Sequence, residues 1–597
     1  MQVYKAPLRD MRFVLHELFA EKPFGEPEAF AEFTPDLYDA VLEQAARVAE
    51  EVLLPLNASG DAEGCRLENG MVRTPAGFKE AYAQFRDGGW SGLTADAEWG
   101  GQGLPERVNK LVEEMTCSAN LSFSLYPGLT HGATTAIEGH ASDELKQTYL
   151  PKMVSGEWSG AMCLTEAHCG TDLGLLRTRA EPQPDGSYRI TGSKIFISAG
   201  DHDLTENVVH LVLARLPEAP PGVRGISLFL TPKRLPKADG SPGPANGVVA
   251  VGLEHKMGLK ASATCQLEFN DSTGWLVGEP NRGLAAMFTM MNAERLGVGV
   301  QGLGVAEAAY QSAVAYARDR LQGRALSGAK RPDLAADPII VHPDVRRMLM
   351  TMRVYAEGCR ALGQWTSQAL DAEKHSADPE IKARAGDFVA LMTPVVKALF
   401  TDLGSEAANL AVQVYGGHGY IREHGVEQYV RDVRITQIYE GTNGVQALDL
   451  VGRKMPAHMG RALRPFFHSV SALLERMAGQ GDKAVAAWTS GLQQAFGALQ
   501  LTTATIAQRG IKDPEEAGAA ATDYLRMLGL VGMGYTFLKA AEIAQARLAE
   551  DSDDPFYKAK LATAGFFFDR ILPQATTGYL VIQSGKRSLM ALDEALF

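Results

Sequence analysis

The sequence lacks paired cysteines, long apolar runs and any excess of basic residues. Its six cysteines lie among 597 residues without a CxxC pair, which argues against a disulfide framework or a structural zinc site and fits a reducing compartment. The longest apolar stretches, such as residues 528–538, are too short and too glycine-rich to span a bilayer. The first residues do not combine a basic region with a long apolar run, as a signal peptide does. We therefore expect an intracellular protein that is not inserted in a membrane.

The charge balance argues against nucleic acid as a partner. Lys and Arg number 58 against 71 Asp and Glu, which gives a net charge of −13, and an acidic surface repels phosphate backbones. An anionic ligand would therefore need a local binding site. At roughly 150 residues per domain, the length predicts three to four domains, with cores that need no covalent or metal support.

Four blocks with different residue patterns predict a mainly α protein with a central β domain. Residues 1–155 are mostly helical in pattern, and residues 283–455 return to long helical patterns. Residues 156–282 contain short runs rich in β-branched and aromatic residues, separated by Gly, Pro, Asp and Asn, which is typical of an all-β module. Residues 460–597 form an additional helical block.

Three X-Pro pairs predict helix starts. Thr34-Pro35 is followed by apolar residues at helical spacing, namely Leu37, Val41, Ala45, Val48 and Val52. Asp513-Pro514 and Asp554-Pro555 predict the first turns of two helices in the last block.

Residues 297–302 (GVGVQG) match the glycine pattern of dinucleotide-binding proteins, but the flanking sequence does not. That pattern binds a dinucleotide only between a strand and a helix of a βαβ unit. Here the sequence on both sides is helical in character. We interpret the segment as small residues that allow close helix packing, and we do not expect NAD binding.

Two segments of the β block have side chains suited to a polar or planar ligand. Residues 162–172 (MCLTEAHCGTD), which we expect where helix gives way to strand, offer hydroxyls and main-chain N–H groups; a capped turn is the alternative. His168 and Cys169 have no partner pair nearby, so we expect no metal site. Residues 194–200 (KIFISAG) predict a strand with Phe196 and Ser198 on one face. These two side chains could flank a planar cofactor, although the same pattern is common in ordinary strands.

The strongest candidate site lies near residues 413–420 (QVYGGHGY) and 438–444 (IYEGTNG). Glu440 stands between an apolar stretch and a Gly-Thr-Asn helix start. A carboxylate held against apolar walls loses hydration, which raises its pKa toward that of a useful general base. The alternative is a pair of capped helix ends with no chemistry.

The chain resembles the acyl-CoA dehydrogenase family over about residues 35–455. The resemblance rests on six segments in the family's order: MCLTEAHCGTD, KIFIS, KMGLKASATCQLEF, NAERLGVGVQGLG, QVYGGHG and IYEGTNG. It implies a helical N-terminal domain, a middle β-barrel or sandwich and a C-terminal helical bundle. The long N-terminus and the C-terminal block are similar to a bacterial branch that includes fatty acyl-CoA and 3-methylmercaptopropionyl-CoA dehydrogenases.

The resemblance implies an FAD enzyme that oxidises acyl-CoA thioesters to trans-2-enoyl thioesters. Glu440 would remove the pro-R α-proton while the Cβ hydride passes to flavin N5. The Glu440 main-chain N–H and a flavin ribityl hydroxyl would hold the thioester oxygen. Thr171 and Arg295 would line the CoA side, and Gly441 would lie against the substrate.

The resemblance also implies which residues hold FAD. Leu164 and Thr165 would contact the pyrimidine edge, Phe196 would stack near the isoalloxazine, and Ser198 would bond near N5. Arg320, Gln413 and Gly417 would reach the FAD pyrophosphate and adenine from the neighbouring subunit. Thr442 and Asn443 would complete the site.

The sequence departs from the family pattern after Arg320 and carries a second acidic candidate. Leu321-Gln322-Gly323 stands where the family usually has Gln-Phe-Gly, so the usual aromatic contact to adenine is missing. Glu294 occupies the position where some branches place their base. We assign the base to Glu440 because of its IYEGT context, and Glu294 to substrate binding or to tuning the other carboxylate.

The resemblance implies electron transfer to electron-transferring flavoprotein, in fatty-acid β-oxidation in a bacterial cytoplasm. The alternatives are a 3-methylmercaptopropionyl-CoA dehydrogenase, an acyl-CoA oxidase and a catalytically silent binding or assembly relative. We interpret the C-terminal block as a packed helical appendage covering the surface that shorter members use to form tetramers, which favours a homodimer. A partner-binding or membrane-surface role for this block is the alternative.

Overall fold

The computed structural model describes residues 2–597, which divide into two compact units. Unit 1 comprises residues 2–46, 106–118 and 298–597, and unit 2 comprises Arg47–Pro105 and Ala119–Gly297. The described residues form these α-helices: α1 (Leu8–Arg12), α2 (Pro35–Arg47), α3 (Pro55–Glu63), α4 (Phe78–Asp87), α5 (Glu106–Ala119), α6 (Leu121–His140), α7 (Asp143–Val154), α8 (Gly283–Asp319), α9 (Pro343–His375), α10 (Pro379–Tyr415), α11 (Val426–Val433), α12 (Asn443–Asp449), α13 (Leu463–Met477), α14 (Lys483–Lys512), α15 (Pro514–Glu550), α16 (Pro555–Phe566) and α17 (Gln574–Gln583).

The strands occur early in unit 2 and in its central part. They are β1 (Arg66–Glu68), β2 (Met71–Arg73), β3 (Trp158–Cys163), β4 (Arg179–Pro182), β5 (Tyr188–Ser198), β6 (Asn207–Arg215), β7 (Ile226–Pro232), β8 (Arg234–Pro236), β9 (Pro242–Ala245), β10 (Val248–Leu253) and β11 (Thr264–Val277). The expected mainly α protein with a central β region is thus confirmed.

The main sheet of unit 2 closes on itself. Its strands run in the order β10-β11-β5-β4-β6-β3, and β7 pairs with both β11 and β6. Most pairs are antiparallel, whereas β3 pairs with β6 in parallel. Closure buries one face of each strand around a shared core that includes Cys163, Ile190, Val212, Phe229, Cys265 and Phe269. This barrel fixes the ends of β3 and β5, which carry predicted site residues.

Unit 1 is a helical bundle in which α9 and α10 are long central helices. Trp365 of α9 is fully buried and stacks on Tyr535 of α15 with ring centroids 4.3 Å apart. It also contacts Phe466 of α13 and Phe388 of α10. The C-terminal block is therefore packed into the core of the bundle. The helical stretch Pro379–Tyr420 is long and apolar enough to cross a membrane, yet 83% of its apolar window is buried within the protein, as in a core helix.

The glycine-rich segment 297–302 lies inside α8, as the helix-packing interpretation requires. A Cβ on Gly302 would lie 2.5 Å from the Phe400 carbonyl oxygen, and a Cβ on Gly404 would lie 2.4 Å from the Gly302 carbonyl oxygen. Because these distances are too short for a side chain, glycine is what allows α8 and α10 to touch backbone to backbone.

Three local expectations are confirmed, because helices begin at Pro35, Pro514 and Pro555. In the last two, Asp513 and Asp554 cap the helix by accepting main-chain hydrogen bonds.

One local expectation is wrong, and the apolar spacing in α2 identifies its buried face only in part. In α2 the buried residues include Tyr38, Leu42 and Ala45, whereas Leu37 is exposed. Two adjacent stripes of this helix are apolar, and the spacing alone does not choose between them. Segment 162–172 follows strand β3 rather than the end of a helix, because Met162 and Cys163 are the last residues of that strand.

A buried ionic network joins five helical elements of unit 1. The Arg360 guanidinium on α9 bonds Glu114 of α5 at 3.0 Å and Glu307 of α8 at 2.6 Å. It also bonds Asp10 of α1, which accepts from Lys560 of α16 as well.

The network perturbs its carboxylates in opposite directions. Burial raises the pKa of Glu114 to about 7 in spite of Arg360. Burial also acts to raise the pKa of Asp10, but Lys560 and Arg360 outweigh it and lower that pKa to about 2. The N-terminal helix and the C-terminal block are therefore held to α9 by the same buried charges.

We predict that Arg360→Met lowers the free energy of unfolding by about 3–5 kcal/mol, because it leaves Glu114 and Glu307 buried without their counter-charge and leaves Asp10 with Lys560 alone. Thermal unfolding followed by circular dichroism measures the loss. Arg347→Met on the same helix is the control, because this side chain is half exposed and pairs only with surface Asp344. Equal midpoints for the two variants would contradict the proposed importance of the network.

Candidate active site

The predicted site residues fall into both compact units, and each unit holds its own group. Unit 2 contains Leu164, Thr165, Thr171, Phe196, Ser198, Glu294 and Arg295. Unit 1 contains Arg320, Gln413, Gly417, Glu440, Gly441, Thr442 and Asn443.

In unit 2, the turn after β3 is hydrogen-bonded to β5. The Ile195 N–H donates to the Thr165 carbonyl oxygen at 2.9 Å. Lys194 Nζ donates to the Leu164 carbonyl oxygen, also at 2.9 Å. The structure thereby brings Leu164 and Thr165 close to Phe196 and Ser198, which follow on the same strand.

A buried ion pair lies beneath this turn. Lys194 is fully buried, and its Nζ lies 3.0 Å from Glu166 Oε1. The same carboxylate accepts from Thr178 Oγ1 at 2.7 Å and from the main-chain N–H groups of Arg177 and Thr178. Burial acts to raise the pKa of Glu166, but Lys194 and these hydrogen bonds outweigh it and lower the pKa to about 2. Burial lowers the pKa of Lys194, and Glu166 opposes that shift.

Phe196 occupies a bulge in β5. The pairing of β5 with β11 shifts register between Lys194 and Ile197, and Phe196 has a positive φ of 59°. Its ring is 59% exposed, while Ile197 is buried in the barrel core. Since a large aromatic ring is rarely left exposed without a partner, this ring offers a stacking surface beside the half-buried Ser198 hydroxyl.

The turn also contains three potential metal ligands. Donor atoms of Glu166, His168 and Cys169 lie within 4.8 Å of one another. However, the Glu166 carboxylate is already bonded to the Lys194 ammonium, so a cation there would meet a positive charge. We therefore do not assign a metal site to this turn. Thr171, further along the same turn, is exposed.

Glu294 and Arg295 lie on the first half of α8. Glu294 is buried, and its carboxylate occupies space left by Gly132 of α6, where a Cβ would lie 2.4 Å from Glu294 Oε1. Arg295 is also buried; its Nη1 donates to Asn292 Oδ1 at 3.2 Å, and its guanidinium lies over the Phe288 ring.

In unit 1, the loop that carries Glu440 has a backbone that most residues avoid. Glu440 has a φ of +55° and Gly441 a φ of +83°. Gln446 Nε2 donates to the Glu440 carbonyl oxygen at 3.0 Å, and a Cβ on Gly441 would lie 2.6 Å from that nitrogen. The Tyr439 hydroxyl donates to Gln301 of α8. Hydrogen bonds at Tyr439 and at the Glu440 carbonyl oxygen therefore fix the loop, and the Glu440 side chain is half-buried.

Thr442 and Asn443 begin α12. Thr442 is its N-cap and accepts from the Val445 N–H. The Asn443 side chain is bonded to α10, because Lys397 Nζ donates to its Oδ1 at 2.8 Å and its Nδ2 donates to Thr401 and Asp402. The expected contact of these residues with FAD stays a prediction.

Arg320, Gln413 and Gly417 lie at another end of the bundle, and all three are exposed. Tyr316, near the end of α8, stacks on Tyr415 at 4.0 Å and bonds His418 at 2.9 Å. Gln413 follows Asp402 by eleven positions along α10. At a rise of 1.5 Å per residue, the two residues are about 16 Å apart along the helix axis. Within one chain, this group is therefore distant from the Glu440 loop.

The loop after Arg320 is built around Asp337. Its buried carboxylate accepts from the main-chain N–H groups of Ala325 at 2.9 Å and Arg331 at 2.7 Å. Gln322, at the position of the family's missing aromatic contact, donates its main-chain N–H to the Asp337 carbonyl oxygen at 3.0 Å, and Leu321 pairs with Pro338. Hydrogen bonds to main-chain N–H groups lower the pKa of Asp337 to about 2. This acid gives the loop a fixed shape.

Sequence reasoning missed the residues that hold both groups in place, chiefly Lys194, Glu166, Lys397 and Asp402. One signal was available for Lys397, which stands in the apolar run VVKALF of a helix. A lysine at such a position must be buried and paired. No comparable signal marked Asp402 or Glu166.

Family models match nearly the whole chain. They are the acyl-CoA dehydrogenase N-terminal domain over residues 36–157, its middle domain over 161–272 and its C-terminal domain over 281–455. An acetyl-CoA dehydrogenase C-terminal-like model matches residues 466–593. The chain belongs to the acyl-CoA dehydrogenase family. It is therefore an oxidoreductase that acts on acyl-CoA, with FAD as its cofactor.

Full-length relatives agree with this assignment. The chain is 43% identical to a 3-methylmercaptopropionyl-CoA dehydrogenase of Ruegeria pomeroyi, over 98% of this chain and 99% of that protein. It is 34% identical to a broad-specificity linear acyl-CoA dehydrogenase of Mycobacterium tuberculosis over the full length of both. The fold matches an acyl-CoA dehydrogenase from Bacillus anthracis solved with FAD, with a TM-score of 0.74 and 20% identity over 96% of this chain and 91% of that one.

We predict that Lys194→Met lowers the free energy of unfolding by about 3–5 kcal/mol, because Glu166 loses its counter-charge, and that it also lowers the FAD content of the purified protein. The pKa of Glu166 lies below its ordinary value, so its contribution to stability is present above about pH 4.5 and is lost as the pH falls toward 2. The difference in melting temperature should therefore narrow at low pH.

Lys237→Met is the matched control, because Lys237 is exposed. Normal FAD content and normal stability in the Lys194 variant would show that the ion pair does not hold the turn.

Proposed function

We propose that this protein dehydrogenates an acyl-CoA thioester between Cα and Cβ, with Glu440 as the base. The observation that carries the proposal is the geometry of the Glu440 loop. An acidic residue in the left-handed region is strained, and such strain is found where a side chain must be aimed at a reaction centre.

The reaction transfers two hydrogens in different forms. The Glu440 carboxylate takes the α-proton, the electron pair of that C–H bond forms the new Cα–Cβ double bond, and the hydride leaves Cβ. When bound, FAD accepts that hydride. The Glu440 main-chain N–H holds the thioester oxygen, which stabilises the negative charge that develops as the proton leaves.

The residues of unit 2 fit a flavin. The exposed Phe196 ring provides a stacking face, and Thr165 and Ser198 supply hydroxyls beside it. Leu164 and Thr165 would hold the pyrimidine edge. Thr171 and Arg295 would take the CoA portion, with Glu294 and Gly441 near the acyl group.

A homodimer would complete the cofactor site. Arg320, Gln413 and Gly417 are exposed and distant from the Glu440 loop of their own chain, which favours contact with the FAD of a neighbouring subunit. Next to them, Tyr420 is 85% exposed, as expected of a residue that another subunit covers. We further propose that the enzyme works in a bacterial cytoplasm and passes electrons to electron-transferring flavoprotein; with a fatty acyl-CoA as substrate, the reaction would be a step of fatty-acid β-oxidation.

The substrate has two candidates. One is a linear fatty acyl-CoA, as in the name of the Mycobacterium relative, and the other is 3-methylmercaptopropionyl-CoA. The second is favoured by the 43% identity to the Ruegeria protein over nearly all of both chains. These substrates can be compared directly, because 3-methylmercaptopropionyl-CoA differs from pentanoyl-CoA only by a sulfur atom in place of one CH₂ group.

We predict that Glu440→Gln binds FAD but loses flavin reduction by acyl-CoA, because the amide cannot take the α-proton. Anaerobic bleaching of the oxidised flavin band measures the reaction. Glu294→Gln is the matched comparison and should keep part of the activity. Normal reduction in the Glu440 variant, with loss in the Glu294 variant, would move the base to Glu294.

We predict that the kcat/KM for 3-methylmercaptopropionyl-CoA exceeds that for pentanoyl-CoA by no more than about 200-fold, because a pocket distinguishes such near-isosteric groups only weakly. Turnover with a dye acceptor measures both values, and acyl-CoAs of graded length test the fatty-acid alternative.

Rapid peroxide formation would identify an oxidase. A flavin that no thioester bleaches would contradict the proposed function.

A further inference from the structure

The Glu440 loop needs support from elsewhere in unit 1. Two consecutive residues in the left-handed region, one of them with a side chain, cost free energy that neighbouring contacts must offset. Gln301 and Gln446 supply two such contacts. A third set comes from one turn of α10, residues 397–402.

Asp402 of α10 is hydrogen-bonded to the loop on both sides of Glu440. Its Oδ1 accepts from Gln437 Nε2 at 2.6 Å and from Asn443 Nδ2 at 2.8 Å. Gln437 precedes Glu440 by three residues, and Asn443 follows it by three. One carboxylate oxygen therefore sets the distance between the two ends of the loop.

Lys397 fixes which way the Asn443 amide points. An ammonium can only donate hydrogen bonds and an ionised carboxylate can only accept them. Lys397 Nζ donates to Asn443 Oδ1 at 2.8 Å, so the NH₂ group must face Asp402 and Thr401. Because Lys397 is fully buried, this arrangement is shielded from exchange with water and has a high cost of disruption.

We propose that Asp402 is a positioning residue for the base, acting through Gln437 and Asn443 to hold the Glu440 carboxylate at the substrate Cα. This inference rests on the proposed function, in which Glu440 removes the α-proton. Asp402 itself contacts neither substrate nor cofactor in this role. Its effect is on the rate of proton removal, because a small displacement of a catalytic group costs a large factor in rate.

The first test is Asp402→Asn in the FAD-loaded enzyme. The uncharged amide oxygen accepts weaker hydrogen bonds from Gln437 and Asn443 than the carboxylate does, and an amide turned the other way would place a donor against both. In anaerobic stopped-flow experiments, we expect the limiting rate of flavin reduction to fall about 10- to 100-fold. The acyl-CoA dissociation constant from the same titration and the FAD content should remain within about twofold, since in this role Asp402 touches neither ligand.

A charge swap provides the rescue. In the double variant Asp402→Asn/Asn443→Asp, the new carboxylate at position 443 can accept from Lys397. The new amide at position 402 can turn its nitrogen to the place of the former Oδ1, where it donates to that carboxylate and to a Gln437 amide turned to accept. The double variant should recover most of the lost rate, as coupled residues do. Glu380→Gln is the matched control, an exposed carboxylate on the same helix, and should reduce flavin at the normal rate.

Gln437→Ala tests the proposal if Asp402→Asn does not fold. Gln437 is only half-buried, and its truncation removes one of the two loop contacts of Asp402. We expect a fall in the reduction rate without a change in acyl-CoA affinity.

The outcomes separate the two proposals. If Glu440→Gln still reduces its flavin, the proposed base is wrong and Asp402 has no base to position. If Glu440→Gln is inactive but Asp402→Asn and Gln437→Ala reduce at the normal rate, the positioning role alone is overturned. A slow Asp402→Asn variant in which acyl-CoA affinity or FAD content falls to the same extent also overturns it, whereas rescue by the swap with unchanged affinity supports it.

Discussion

The contact between α8 and α10 is the constraint on which unit 1 depends. Gly302 and Gly404 let the two backbones meet, and any side chain at either position would collide with a carbonyl oxygen of the other helix. Close approach places Gln301 of α8 and the 397–402 turn of α10 around the loop that carries Glu440. The small residues that look like a nucleotide-binding pattern in the sequence therefore help to place these groups around the Glu440 loop by packing.

In each unit, a strained segment of backbone lies beside buried charged groups. The left-handed backbone at Glu440 and the register shift at Phe196 are both unfavourable in isolation. In each case a carboxylate and a fully buried lysine lie close by and hydrogen-bond to the segment. These are Asp402 and Lys397 in unit 1, and Glu166 and Lys194 in unit 2. Buried charges contribute little net stability, but they have directional hydrogen bonds, so they specify one geometry where apolar packing would allow several.

The C-terminal block is part of the same unit as the Glu440 loop. Its helices α13 and α15 bury Trp365, and Lys560 of α16 bonds Asp10 within the Arg360 network. The N-terminal helix and the last helices thus enclose the outer side of α9. This arrangement agrees with interpreting the block as a packed appendage, whereas the oligomeric state stays a prediction.

The sequence alone determined the fold class, the family and the two loops that carry the predicted chemistry, because these depend on local patterns: apolar spacing, turn residues and short motifs. Helix starts at Pro35, Pro514 and Pro555 were predictable for the same reason. The buried face of α2 was not, since two adjacent stripes are apolar and only packing selects one. Nor were the partners of Glu166 and Asp402, which are distant in sequence: Lys194 lies 28 residues after Glu166, and Asp402 lies 35 residues before Gln437. Only the tertiary structure brings such residues together, because hydrogen bonds between distant segments depend on how the helices and strands pack.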